Sequence, residues 1–469
     1  MSLVPRLARS LPFFYGWLII GIAFVSMALA VNARTSFSLV YPPILDEFGW
    51  DRADTAGAFS FGFLVSAALS PLLGRAMERF GPVPVMEAGA LASGLGMLLA
   101  SRASSLWEFY LSLGLLVGFG SVCLGYTGHG LFLSAWFERR RGLAISIAYA
   151  GAGAGSILLL PVMQELIDAA GWRHACLILG SLILAVLVPL NLLVRRRPSD
   201  LGLQPDGDPV PVNGQTGARR TRRVDPAWTS VEWTLRLAVR THRFWWIALG
   251  YASALFVWYA VQVHQTRYLL EVGFDATLAA WALGVVSLAG VPGQIALGWL
   301  SDRVGRELVW GIGCAGFIVC CLLLIALAHW PVLPLLGLMV VVQGVIGYGV
   351  TSVFGAIPAD VFESPHYGPI FGTISLLAIT GGALGPWVTG LIHDATGSYL
   401  PAFALGAAMS ALAAFAIWRA APGAVRAVPG RSGTKSDTTG QAPPAAAGSG
   451  GSGSGQGPRA PRSFKDPRA

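Results

Sequence analysis

Twelve runs of about 20 mostly apolar residues occupy most of this 469-residue chain, and each is long enough to cross a bilayer as a helix. They fall near 15–41, 55–77, 83–101, 106–131, 142–166 and 174–194, then near 243–266, 276–300, 308–328, 332–357, 367–392 and 399–419. In hydrocarbon every backbone polar group needs an internal partner, which leaves helices or a closed barrel. Runs of this length and continuity are those of helices, so the predicted class is an all-α membrane protein. Charged residues make up only 12% of the chain, about half the roughly 25% usual in soluble domains. That composition excludes a soluble enzyme, a nucleic-acid binder and a disordered chain. The five cysteines all fall inside apolar runs, without metal or disulfide spacing, and read as small core residues.

Orientation follows from the placement of Lys and Arg. With the N-terminus inside, 27 of the 32 fall on inner segments, and the outer loop Asp46–Asp54 is acidic. The expected arrangement is a multi-pass membrane protein with both termini cytoplasmic. Four parts follow: a six-helix half over 1–194, a cytoplasmic linker over 195–242, a second half over 243–419 and a tail over 420–469. In the linker, Thr229 to Glu232 has capping-box spacing. It predicts a helix start there, opening a basic amphipathic stretch (Trp228, Val231, Leu235, Ala238) that lies along the inner membrane surface. The Ala/Pro/Gly/Ser-rich tail has the composition of a disordered segment.

The halves repeat each other. Gly74, Glu78, Arg79 and Gly81 after the second run match Gly298, Asp302, Arg303 and Gly305 after the eighth, 224 residues on, where Arg306 follows. Trp136-Phe137-Glu138 matches Val361-Phe362-Glu363, 225 on. Duplicated six-helix halves are a transporter architecture with the substrate between them. In the Gly-x-x-x-acid-Arg-x-Gly element, glycine permits close helix approach and the acid can take helix-end N–H groups or a base. The pattern predicts a conformational latch on the cytoplasmic side.

Further motifs narrow the likeness. Phe14-Tyr15-Gly16-Trp17 opens the first run and Tyr41-Pro42-Pro43 to Trp50 closes it; Trp136 to Arg141-Gly142 follows the fourth; Gly381-Gly382 to Gly385-Pro386 and Asp394 to Tyr399 mark the eleventh. With the repeated element, these make the chain resemble the major facilitator superfamily, and within it the bacterial relatives of the monocarboxylate and oxalate/formate transporters. The resemblance implies two six-helix halves rocking about a central site. It also implies a substrate-gripping Arg in helix 8 and, in proton-coupled relatives, an Asp one turn earlier. This chain carries Gln294 and Gly290 at those positions, and its first repeated element continues into Pro82 where the second has Arg306.

Away from the ends of the predicted runs Arg34 is the one Lys or Arg, among Asn32, Thr35, Ser36 and Ser38, and an ionisable group there is a functional candidate. Tyr126 and His129, in a glycine-rich part of helix 4, His264 near the outer end of helix 7, and Gln294 complete the candidate substrate site. Glu87 and Asp360 read as structural, and Trp258, Trp281, Trp299 and Trp387 as interface or packing residues. The expected function is secondary transport of a small organic anion, a monocarboxylate, by rocker-switch alternating access. The drive is an ion gradient or exchange, with a proton as one candidate coupling ion. The expected partners are that small molecule and the bilayer, without nucleic acid, nucleotide, cofactor or metal; no phosphate-binding loop is present. The alternatives are a facilitator-type exporter of an apolar or cationic compound, and a membrane sensor or intramembrane enzyme.

Overall fold

The computed structural model describes residue 8, residues 10–208 and residues 225–425. The tail beyond 425 and the middle of the linker lie outside the described residues. Among those described there is no strand, and 12 helices are long and apolar enough to cross a membrane. We label them α1 (Tyr15–Phe48), α2 (Gly57–Phe80), α3 (Pro82–Ala100), α4 (Leu106–Leu133), α5 (Arg141–Ala170) and α6 (Trp172–Asn191). The second set is α7 (His242–Glu271), α8 (Trp281–Val304), α9 (Arg306–Leu327), α10 (Leu333–Val361), α11 (Tyr367–Thr396) and α12 (Leu400–Ala424). Each predicted run has its helix.

The helices pair as the repeat demands: α1 packs on α5 and α3 on α6, as α7 packs on α11 and α9 on α12. The halves meet along two seams, α2 against α11 and α5 against α8. Polar side chains join neighbours within a half, a common device in membrane interiors. Asn32 of α1 donates to the Ala152 carbonyl of α5 at 2.9 Å and accepts from Ser156 at 2.7 Å. Leu91, Leu95 and Leu99, at i, i+4 spacing on α3, are nearly half exposed; they form the stripe that faces lipid.

Helices α4 and α10, partners in the repeat, are both irregular. Each contains a widened π turn, Tyr110–Leu116 and Val342–Gly347, of the kind that clusters at functional positions. In α4 the helix breaks again at Gly125, whose backbone is extended (φ −94°, ψ −158°).

The linker differs from expectation. Thr229 ends a short turn, Pro226–Thr229, and does not cap a helix. The cap is Thr234, whose hydroxyl accepts from the Leu237 N–H at the start of Leu235–Ala238. Trp228 is not laid on a membrane surface: its indole donates to the Val361 carbonyl at 2.8 Å and its ring packs on Trp233. The aromatic pair buries itself against Phe362, which offers more apolar contact than a headgroup layer.

Candidate functional site

Two sets of side chains join the halves, one deep in the bundle and one at its linker end.

The deep set centres on Arg34. Its guanidinium carbon lies 3.4 Å from the centre of the Phe63 ring and 5.7 Å from that of Phe59, and Nη1 reaches Ser121 Oγ at 3.4 Å. Cation–π contacts of this kind gain strength when desolvated. Among the described residues no carboxylate stands within ion-pair distance of Arg34. Phe63 of α2 meets Tyr259 of α7 edge-on, with centroids 5.7 Å apart, so the platform under Arg34 touches the other half. Tyr126, next to the α4 break, packs edge-on against Tyr149 at 4.9 Å, and the Tyr149 hydroxyl donates to the Tyr126 carbonyl at 2.8 Å. Tyr259 and Tyr348 of the second half lie near Tyr126.

Three other expected site residues are differently placed. His129 is buried, and its Nδ1 lies 3.1 Å from the Gly125 carbonyl at the break in its own helix. His264 contacts the Pro386 carbonyl at 2.9 Å and Tyr399 at 3.4 Å, within the second half. Gln294, 3% exposed, reaches from α8 to the Ser146 carbonyl of α5 at 3.4 Å and so belongs to the seam. Gly290 also has a local reason: a Cβ there would lie 2.7 Å from the Tyr348 ring. Tyr348, stacked edgewise on Trp258 at 4.5 Å, fills the space an acid would need. Trp258 is thus an interior residue beside the site, whereas Trp281, Trp299 and Trp387 are exposed.

At the linker end the two repeated elements make equivalent contacts. Glu78 of α2 accepts the Gly368 N–H at 2.7 Å, at the start of α11. Asp302 of α8 accepts the Gly142 and Leu143 N–H groups at 2.8 and 2.9 Å, at the start of α5. Each acid therefore caps a helix of the opposite half, where unpaired N–H groups and the helix dipole favour an anion. Glycine makes the approach possible. A Cβ on Gly74 would lie 2.2 Å from the Gly368 carbonyl oxygen, and one on Gly298 2.7 Å from that of Gly142. Gly81 and Gly305 close both elements at positive φ, 80° and 112°. Arg79 and Arg303 turn away, over Phe80 and Trp299.

The copies differ in charge pairing. Asp302 pairs with Arg306 at 2.7 Å, Arg306 with Asp360 of α10 at 3.2 Å, and Asp360 with Arg141 at the start of α5. The path from Gly142 through Asp302, Arg306, Asp360 and back to Arg141 is a closed ring across the seam. Among the described residues Glu78 has His366 at 3.9 Å as its one partner within ion-pair distance, because Pro82 stands where the second copy has Arg306. Asp360 and Arg141 were not among the expected site residues, nor were Ser121, Phe63, Tyr259 and Tyr348. A repeat comparison finds Tyr259, 225 residues after Arg34; Tyr348, 222 after Tyr126, falls short of the repeat offset and is found only in the packing.

Two duplicated six-helix halves, twelve spanning helices and cross-seam acid caps define a multi-pass membrane transporter of the facilitator type. The family profile of the Major Facilitator Superfamily matches residues 20–354 and 268–451, and the chain belongs to that superfamily. It is 29% identical over 419 residues to monocarboxylate transporter 11 of Homo sapiens, covering 84% of this chain and 80% of that one. It is 31% identical over 404 residues to monocarboxylate transporter 13 of Bos taurus, covering 84% and 86%. Among solved structures, the transporter FucP in the outward conformation superposes with a TM-score of 0.64 at 17% identity, covering 86% of this chain and 98% of that one. The proton:xylose symporter XylE bound to 6-bromo-6-deoxy-D-glucose gives 0.65 at 13%, covering 86% and 95%. These structural likenesses establish the fold.

Proposed function

We propose that this transporter moves a small organic anion, a monocarboxylate, by rocking of its halves, 1–194 and 243–419, about the Arg34 site. The carrying observation is a guanidinium held deep in the bundle by rings and a hydroxyl, without a carboxylate partner among the described residues. An anion supplies the missing charge. A guanidinium can offer it two parallel N–H bonds, stronger than neutral ones. The names of the curated relatives favour the same substrate class. Tyr126, Tyr259 and Tyr348 add hydroxyls and apolar faces from both halves, so that binding engages both.

In this reading the linker-end contacts are the latch of the state closed on that side, and they break when it opens. The Arg-rich linker and termini face the cytoplasm, and a bacterial inner membrane holds the protein. An ion gradient or substrate exchange drives the cycle. Export of an apolar or cationic compound is the second reading, favoured by the many rings and by Gln294 in place of an arginine.

The test is uptake of labelled mono- and dicarboxylates into proteoliposomes, with and without a pH gradient. Saturable flux of a carboxylate is expected in the wild type. Arg34→Gln should abolish it and Arg34→Lys retain part, since losing one partner of a desolvated charge pair costs about 2–5 kcal/mol. Wild-type affinity in Arg34→Gln would sink the anion reading and leave the second.

A further inference from the structure

The ring at the linker end depends on the start of α5: Arg141 supplies a guanidinium, and Gly142 and Leu143 supply N–H groups. Before them runs an irregular loop, 134–140, whose own N–H groups need partners. These come from the linker. Asp206 Oδ2 accepts from the N–H of Glu138 at 3.0 Å and of Arg139 at 2.9 Å, and Oδ1 from that of Arg140 at 3.4 Å. In return the Asp206 N–H donates to the Trp136 carbonyl at 3.0 Å. The Asp206 side chain is 5% exposed, and its backbone sits at φ 59°, a conformation Asp tolerates better than most residues. Arg139 pairs with Asp208, and the Trp136 indole donates to the Arg195 carbonyl at 3.1 Å.

The other end of the linker does the same in the second half. Trp228 donates to the Val361 carbonyl, and Ser364 Oγ donates to the Trp233 carbonyl at 2.6 Å. These contacts fall on or next to Val361-Phe362-Glu363, the repeat partner of Trp136-Phe137-Glu138. Both copies of one loop are thus gripped by one linker, just beside Asp360 in one half and Arg141 in the other. The strap also roofs a cavity of about 470 Å³ at the seam, with Glu78, Arg141, Arg196, Gln204, Glu363 and Tyr367 among its lining.

We propose that Asp206 is a positioning residue of the latch. By capping the Glu138–Arg140 turn it fixes the helix start that receives Asp302 and the guanidinium that receives Asp360. It thereby sets the balance between the state closed and the state open on the linker side. This rests on the alternating-access reading given above.

Spin labels at Arg75→Cys and Leu308→Cys, two exposed positions on opposite halves, report that balance as a distance distribution in nanodiscs; the native cysteines are buried. In the wild type the short, closed distance should dominate, with a longer one appearing on addition of carboxylates. Asp206→Ala should raise the long-to-short ratio about tenfold, as expected for losing hydrogen bonds to a charged acceptor. Asp206→Gly, which keeps the backbone freedom and removes both oxygens, should do the same. Asp206→Asn keeps the shape and one acceptor oxygen, so it should fold and give an intermediate ratio. A wild type that exchanges between two distances, with Asp206→Gly and Asp206→Asn indistinguishable from it, overturns the proposal alone. A wild type fixed at one distance, whatever is added, overturns the alternating-access reading and the proposal with it.

Discussion

Replacing Asp302 by Asn tests the latch with a change of one atom. The carboxylate accepts two N–H groups from α5 and pairs with Arg306 while only 9% exposed. An amide can still accept once, but its NH2 then faces either an N–H donor or a guanidinium. Arg306 then keeps one carboxylate, Asp360, which it shares with Arg141, while the half-exposed Glu363 stands 3.8 Å from Arg141; the nearly dry seam loses one of its buried negative charges. Breaking a buried pair by removing one partner costs about 3–5 kcal/mol. Arg306 retains Asp360 and a 2.5 Å bond to Ser301, so we take about 2–4 kcal/mol. Every 1.4 kcal/mol is about tenfold in an equilibrium, so the linker-side-closed state should lose a factor of about 30 to 1,000 relative to the open one. The lost N–H contacts lie between halves and, within the second half, Arg306 keeps Asp360 and Ser301, so each half should fold as before. Turnover should fall steeply because the cycle must return through the closed state. Flux per copy, at matched membrane amounts and with unchanged thermal stability of the purified protein, is the measurement. A wild-type rate would mean that the repeated element is a charged turn and that the ring does not gate.

Further outcomes follow from the same geometry. Glu78→Gln should slow transport less than Asp302→Asn does, since Glu78 takes one N–H, is 20% exposed and has no arginine partner; paired flux measurements decide the order. Gly74→Ala inserts a methyl group 2.2 Å from the Gly368 carbonyl oxygen, and overpacking of this kind costs about 1–3 kcal/mol. It should therefore favour the linker-side-open state, read as faster labelling of a cysteine placed at Ser146. Gly290→Asp should destabilise the protein in a melting assay by displacing the Tyr348 ring, and Tyr348→Ala in the same chain should restore stability.

The sequence carries the architecture because lipid removes most alternatives. A run of 20 apolar residues has few folds open to it, and twelve such runs in two matching sixes leave little choice of topology. The repeated Gly-x-x-x-acid element was equally legible, since its logic is local: a glycine for close approach and an acid for a helix start. What that logic does not give is the identity of the helix receiving the acid. Asp302 meets α5 and Glu78 meets α11, pairings fixed by the packing of two halves some 160 and 290 residues apart in sequence. Asp360 looked structural for the same reason, as nothing near it in sequence reveals that Arg141 and Arg306 converge on it.

The deep cluster of side chains was partly legible. Arg34 stands out because a charge in an apolar run needs a reason. His129 and His264 stand out for the same polar character, and the structure sets ring nitrogens of both against backbone carbonyls, those of Gly125 and Pro386. Aromatic residues were misjudged, because in a membrane chain a ring is usually at the interface. Tyr259 escapes that default through the repeat, in the register of Arg34; Tyr348, 222 residues after Tyr126, falls short of the repeat offset and shows only in the packing. The two halves thus present Arg34 and Tyr126 from one side, Tyr259 and Tyr348 from the other, one cation among three phenols. In the proposed anion reading, that asymmetry gives the substrate a fixed anchor on the first half and weaker, reorientable contacts on the second, so that it stays with Arg34 while the second half moves past it.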